Sequence, residues 1–153
     1  VDYYIINEFF QNYDAGIRST YLYKNLGGKF SIGPVWDFDG AFDNFTGMDF
    51  SPDMLELEST FYYFYLCHSA EFVERCNERY AELRKTVLSE KYLLQYIDDS
   101  SMYLGSAALR NCGKWYGGDY SVYNDDIEKM KTFVVERGRW MDEHFKEYTA
   151  IVK

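Results

Sequence analysis

A segment near the N-terminus carries the pattern that most limits how this chain can fold. Strand-forming residues lie on both sides of Gly27-Gly28, in segments 20–23 and 29–32. Such residues around a Gly-Gly turn are typical of an antiparallel β-hairpin. Gly33-Pro34 ends the second arm, because proline has no amide hydrogen to donate to a strand ladder. We therefore predict two short paired strands, followed directly by the acidic segment 35–40.

The segments around this hairpin have helical periodicity. Apolar residues recur at helical spacing from Val1 to about Asn12, whereas residues 43–58 show no clear period and are predicted to form a long loop. Ser69 and Ser89 are suitable N-cap residues for two further helices. A third helix is predicted over 102–115 and a last one over 121–148. The fold class we predict is α+β and mostly helical, as one domain over residues 1–153, with a head (1–40) carrying the hairpin and a helical body (57–153).

Composition limits the partners. The chain of 153 residues has 16 basic and 25 acidic residues, a net charge of -9, which opposes binding to nucleic acid. No apolar run is long enough to span a membrane. The three cysteines match no zinc pattern and are interpreted as buried free thiols.

Chemistry-bearing residues lie on either side of the hairpin. Asp14 precedes it, Ser19 follows Asp14 by five positions, and Asp37 comes after the second arm. Phosphoryl transfer needs a carboxylate near the acceptor hydroxyl and hard oxygen ligands for Mg²⁺, and kinases place both around a two-stranded segment. The spacing fits this layout, although kinases have asparagine at the fifth position. Two aspartates that only cap turns would give the same spacing.

The sequence around these residues decides between the two interpretations. It contains four informative runs: Tyr4-Ile5-Ile6-Asn7-Glu8-Phe9-Phe10-Gln11-Asn12-Tyr13-Asp14, Ser19-Thr20-Tyr21-Leu22-Tyr23-Lys24, Gly28-Lys29-Phe30 and Gly33-Pro34-Val35-Trp36-Asp37-Phe38-Asp39. Together they closely resemble the CotH kinase family, the spore coat protein H-like atypical protein kinases. The resemblance continues more loosely through the helical body, at Phe72, Arg84, Leu88-Ser89, Asn111, Trp115, Lys131, Arg137 and Trp140.

This resemblance implies a domain like the C-terminal lobe of protein kinases, which uses ATP with Mg²⁺ or Mn²⁺. The phosphoryl acceptor would be a Ser or Thr of a secreted, cell-surface or spore-coat protein. By motif position Asp14 would be the catalytic aspartate and Asp37 the metal-binding one. Asp39 would supply a second metal ligand or hold the loop, and Ser19 would be a weaker cofactor anchor than asparagine. Asn12 would belong to the cofactor-binding loop and orient it through its amide.

Two parts of a complete kinase have no counterpart here. These are a glycine-rich phosphate loop and a strand lysine paired with a helix glutamate. We expect them in an ATP-binding lobe before Val1, so that residues 1–153 alone would be inactive.

Two other function classes stay open. The first is a non-catalytic module that assembles coat or cell-surface partners, which the serine at position 19 mildly favours. The second is a carbohydrate-binding surface built on aromatic residues such as Tyr62 and Tyr63, although core packing of that segment is the preferred interpretation. Core packing is likewise predicted for Trp36. Lys24 and Lys29 are interpreted as solubilising hairpin residues, and Arg18 as a charge near the site or an ion-pair partner.

Overall fold

The computed structural model describes residues 1–44, 55, 57 and 60–146, without the side chain of Phe61. In these residues the protein is mostly helical and has one antiparallel sheet of two strands. This is the α+β arrangement that the sequence predicted. Among the described residues, no helix is both long and apolar enough to cross a bilayer.

The elements follow the predicted order. A first helix precedes the hairpin and four helices follow it: α1 (Asp2–Phe9), β1 (Leu22–Lys24), β2 (Phe30–Ile32), α2 (Phe61–Cys67), α3 (Ala70–Leu83), α4 (Glu90–Trp115) and α5 (Ser121–His144). Most of the predicted loop 43–58 and the predicted helix end beyond residue 146 lie outside the described residues.

The hairpin forms where the Gly-Gly signal placed it. Leu22 pairs with Ile32 and Lys24 with Phe30, so each strand is three residues long. Gly27 has φ of 71°, which glycine adopts without the steric penalty that a Cβ atom would bring. Both strands are largely exposed, and the acidic segment 35–40 is irregular rather than a continuation of β2.

The core lies between α1 and the helices that follow the hairpin. Ile5 and Phe9 of α1 are fully buried, and Val134 and Met141 of α5 are buried with them in one apolar cluster. Burial of a side chain of this size contributes about 1.5–3 kcal/mol relative to an exposed position. The end of α1, where the candidate site begins, is therefore fixed by the core.

Both predicted N-caps are confirmed. The Ser69 hydroxyl accepts from the Phe72 amide, and the Ser89 hydroxyl accepts from the Tyr92 amide. The two separate helices predicted after Ser89 and over 102–115 are confirmed within α4, because the backbone leaves the helical conformation between two helical stretches. Gly105, with φ of 25° and ψ of -103°, is the kink that separates them, three residues after the predicted start of the second stretch.

Two predictions about aromatic residues need correction. Trp36 is 55% exposed and lies in the irregular segment after β2, so it is not a core residue. The helix α2 confirms the helical interpretation of the aromatic run, but its exposure is mixed. Tyr63 is 1% exposed while Tyr65 is 71% exposed. A buried Tyr63 ring cannot stack on a sugar, which removes one half of the proposed carbohydrate surface.

Candidate active site

The candidate catalytic loop starts where α1 ends. Gln11 has φ of 48° and turns the chain. The backbone N–H of Asn12 donates to the backbone carbonyl of Asn7 at 2.9 Å. The Asp14 carbonyl then accepts from the amides of Ile17 and Arg18, at 3.1 and 2.8 Å. These bonds fold residues 11–18 into a tight turn, which holds Asp14 at a partly exposed position close to the end of the buried helix.

Thr20 stabilises the second half of this turn. Its hydroxyl accepts from the Gly16 amide at 2.8 Å and donates to the Arg18 carbonyl at 2.8 Å. Gly16 has φ of 90°, and a Cβ atom there would lie 2.9 Å from the Thr60 hydroxyl oxygen. The close approach and the backbone conformation therefore both require glycine at this position.

A hydrogen bond joins the two ends of the hairpin at the site. The Ser19 hydroxyl donates to Oδ2 of Asp37 at 3.0 Å, although 18 residues separate them in the chain. Both residues have positive φ angles, of 44° and 62°. Such backbone conformations cost energy in residues other than glycine, and in folded proteins they cluster at functional sites. The fifth residue after Asp14 is thus in direct contact with the carboxylate that follows the hairpin.

The pKa of the Tyr13 phenol is influenced by the charged side chains of the site. Its pKa is raised, first by burial and then by the negative charge of Asp14, Asp39 and Asp37, while Arg18 opposes the rise. All four charged side chains therefore act electrostatically on one ring. The Asp39 carbonyl accepts from the Asn44 amide at 2.9 Å, which fixes the backbone just after Asp37.

Comparison with known proteins agrees with this arrangement. The family model described as CotH kinase protein matches residues 1–141, which is most of the chain. The protein belongs to the CotH kinase family. No curated protein and no solved structure gives a significant match. Membership confirms the resemblance seen in the sequence and indicates a kinase-related role, with the general use of ATP and a divalent cation that such a role implies.

The proposed site residues of this CotH kinase family member occupy different depths. Asp37 and Asp39 are exposed, Asp14 and Ser19 are partly exposed, and Asn12 is 1% exposed. Within the described ranges, no three His, Cys, Asp or Glu side chains converge into a cluster that could hold a metal ion alone. Mg²⁺ in phosphoryl-transfer sites is bound by one or two carboxylates together with substrate phosphates, so a closed protein cage is not required.

An apolar cavity lies beside this site but does not include its carboxylates. It has a volume of about 730 Å³, and Phe38 lines it together with Phe10 of the α1 end and Phe42. The Phe10 ring contacts Phe38 edge-on at 6.4 Å between centroids and Phe42 at 4.7 Å. The side chain between the two acidic residues of the segment is thus packed towards the body, while Asp37 and Asp39 face solvent.

Sequence reasoning missed a buried ion pair that joins α1, at whose end the candidate site begins, to α5. Arg137 Nη2 donates to Glu8 Oε1 at 2.8 Å, and both side chains are fully buried. Glu8 Oε2 also accepts from the Leu57 amide at 2.9 Å. A signal was present, because Glu8 follows Ile5 by three positions on the apolar stripe of α1, where a charge needs a partner.

Proposed function

We propose that this chain is part of a protein kinase that transfers the γ-phosphoryl group of ATP to a Ser or Thr hydroxyl of another protein. The observation that carries the proposal is the hydrogen bond between Ser19 and Asp37. It joins the loop that holds Asp14 to the acidic segment after the hairpin. This contact supports a site that uses Asp14 and Asp37 together, because phosphoryl transfer needs one carboxylate near the acceptor hydroxyl and another on the metal ion.

The proposed roles follow from the surroundings of each group. The acceptor oxygen forms a bond to the γ-phosphorus while the bond to the bridging oxygen of ADP breaks, and Asp14 takes the proton of the acceptor hydroxyl. Asp14 is partly exposed and has its backbone fixed by two hydrogen bonds. It is therefore accessible to a protein substrate while its position is constrained.

The oxygen donors present fit a hard divalent cation. Asp37 and Ser19 lie in direct contact, and Asp39 follows two residues later. We propose that Asp37, with Asp39 or Ser19, would hold Mg²⁺ or Mn²⁺, which when bound neutralises the negative charge of the phosphates. The proposed acceptor is a secreted, cell-surface or spore-coat protein, in keeping with the resemblance described above.

The test is labelling of protein by radioactive γ-phosphoryl ATP, with the intact protein as enzyme. Asp14→Asn and Asp37→Asn should each lower the rate by at least about 100-fold, because a carboxylate needed for proton transfer or metal binding is lost. Asp126→Asn, which removes an exposed carboxylate in the first turns of α5, is the matched control and should leave the rate unchanged. Undiminished labelling by Asp14→Asn would exclude the proposed role of Asp14.

A non-catalytic assembly module is the second candidate. Its support is the apolar surface of the hairpin region, where Tyr23, Phe30 and Trp36 are 52%, 67% and 55% exposed. Exposed apolar groups of this kind are found where proteins bind partners. A module of this type would keep its partners in the Asp14→Asn variant and would show no labelling in the wild-type protein. The inactivity predicted for residues 1–153 alone stays a prediction, and an ATPase assay of this chain tests it.

A further inference from the structure

Asn12 is buried, and its side chain contacts both α1 and the segment that leads to Asp37. Its side chain is 1% exposed, so it is placed to act on other residues rather than on a bound ligand. It lies two positions before Asp14 in the chain, and its amide reaches the residue before Asp37.

The side-chain amide of Asn12 is hydrogen-bonded to a residue of α1. Its Nδ2 donates to Asn7 Oδ1 at 3.0 Å, and Asn7 Nδ2 in turn donates to the Tyr3 carbonyl at 2.7 Å. Asn7 is also 1% exposed. Because α1 is fixed by the core, this chain of amides transmits a fixed position to Asn12.

The same amide group reaches the acidic segment. Asn12 Nδ2 lies 3.5 Å from the carbonyl oxygen of Trp36, the residue before Asp37. A side-chain amide nitrogen has two hydrogens, so it can donate to Asn7 and to Trp36 at once. The backbone of Asn12 also holds the catalytic loop, because its carbonyl accepts from the Ala15 amide at 3.0 Å.

The remaining atom of this amide indicates that Asn12 serves more than stability. Asn12 Oδ1 is buried and, among the residues that the structure describes, has no hydrogen-bond partner. An unpaired buried oxygen is unfavourable, and an apolar side chain would avoid that cost. What the amide provides in return is its donor contacts with α1 and with the backbone before Asp37.

We infer that Asn12 is a positioning residue that fixes the metal-binding carboxylate Asp37 relative to the catalytic loop. The inference rests on the proposed function of Asp37 as a metal ligand. Asp37 has φ of 62°, a conformation that its surroundings must hold in place. Ser19 holds its carboxylate from the exposed side, and Asn12 holds the preceding carbonyl from the buried side.

The test measures Mn²⁺ binding to the intact protein with a non-hydrolysable ATP analogue, by the electron paramagnetic resonance signal of free Mn²⁺. Asn12→Ala should weaken Mn²⁺ affinity by about 10–100-fold, as is typical when a partner behind a metal ligand is removed. The rate of phosphoryl transfer should fall at limiting Mn²⁺ and recover at saturating Mn²⁺. Loss of folding alone would not give this recovery.

Asn77→Ala is the matched control, because it removes another amide with a buried Oδ1, from α3 and away from the site. Its Mn²⁺ affinity should equal that of the wild-type protein. Circular dichroism establishes that each variant is folded. Wild-type Mn²⁺ affinity in folded Asn12→Ala would overturn the inference. Should Asn12→Ala not fold, Asn7→Ala decides, because it keeps Asn12 but removes the anchor of its amide, and unchanged affinity in that variant would overturn the inference equally.

The outcomes also separate this inference from the proposed function. If Asp14→Asn keeps full labelling while Asp37→Asn and Asn12→Ala both weaken Mn²⁺ binding, the positioning role stands and the catalytic role of Asp14 fails. If both aspartates are essential for labelling while Asn12→Ala binds Mn²⁺ normally, the proposed function stands and the positioning role fails.

Discussion

Ser19 and Asp37 combine an unusual backbone conformation with a place in the candidate active site. Both have positive φ angles, and their side chains are joined at 3.0 Å. Asparagine tolerates this backbone region better than most residues and carries both a donor and an acceptor. It is also the residue that kinases have five positions after their catalytic aspartate. The serine of this chain therefore occupies a conformation that suits asparagine as well.

Substitution of Ser19 separates the hydrogen bond from the backbone conformation. Ser19→Ala keeps the backbone requirement but removes the donor to Asp37, so apparent Mn²⁺ affinity should fall by about 10-fold or more. Ser19→Asn should keep wild-type affinity or improve it, since its amide can still donate. Titration of the phosphoryl-transfer rate with Mn²⁺ measures both. Equal affinities for the wild-type and Ser19→Ala proteins would show that the bond to Asp37 is not used in metal binding.

Between elements, a clamp around Arg84 joins the end of α3 to α5. Its guanidinium donates to both carboxylate oxygens of Asp142, at 2.8 and 2.7 Å, and also to the Leu88 carbonyl. Gly138 makes room for it, because a Cβ atom there would lie 3.0 Å from two guanidinium nitrogens. A paired, partly buried arginine of this kind is more than a surface ion pair, since its position depends on the packing of two helices.

Gly138→Ala should therefore destabilise the protein by about 1–3 kcal/mol, because the new methyl group displaces Arg84 or separates the helices. Gly113→Ala is the control, since no atom lies within 4 Å of a Cβ built there. Alanine is the better helix former, so Gly113→Ala should be neutral or stabilise by up to about 1 kcal/mol. Urea unfolding followed by circular dichroism measures both changes. The clamp would be shown to adapt freely if the two variants had the same stability.

The elements were predictable wherever a local signal defines them. The Gly-Gly turn placed the hairpin, and Ser69 and Ser89 placed two helix starts. The break inside α4 was predicted, but its place at Gly105 rather than before Met102 was not, because local propensity leaves helix boundaries uncertain by a few residues. The exposure of Trp36 likewise depends on which surfaces meet across the chain, and a local pattern does not contain that information.

The candidate site shows the same division. The residue types and spacing of Asp14, Ser19 and Asp37 were visible in the sequence. The contact between Ser19 and Asp37 and the amide chain through Asn7 and Asn12 required the folded backbone. Their partners are 18 and 5 residues apart, with no periodicity that indicates a contact.

At the scale of the whole molecule, the core contains one thiol and several phenols that would lose a proton at high pH if they were exposed. Burial raises the pKa of Cys76 from 9.0 to about 12. Burial also raises the pKa of Tyr4, Tyr63 and Tyr80, with smaller contributions from neighbouring groups such as Asp142 beside Tyr80. These groups keep their protons in the folded state at a pH where the unfolded chain has lost them.

Stability should therefore fall in alkaline solution. A raised folded pKa gives stability that is fully present below the unfolded pKa and is lost as pH rises above it, here beyond about pH 9–10. Each such group contributes about 1.4 kcal/mol of loss per pH unit in that range. Urea unfolding between about pH 8 and 11 measures the slope. Tyr80→Phe removes one buried phenol, so the free energy of unfolding should fall less steeply with pH in this variant. Tyr103→Phe, at a residue that is 92% exposed, should leave the slope unchanged.

The buried pair of Glu8 and Arg137 restricts how sequences of this kind can diverge. The two residues lie 129 positions apart, and a change at either one leaves the other charge buried without its partner. Such a loss costs about 3–5 kcal/mol, a large part of the stability of an ordinary domain. Substitution of Glu8 or Arg137 alone is therefore strongly destabilising, whereas replacement of both by apolar residues can keep the stability of the protein. In related sequences, positions 8 and 137 should change together or not at all.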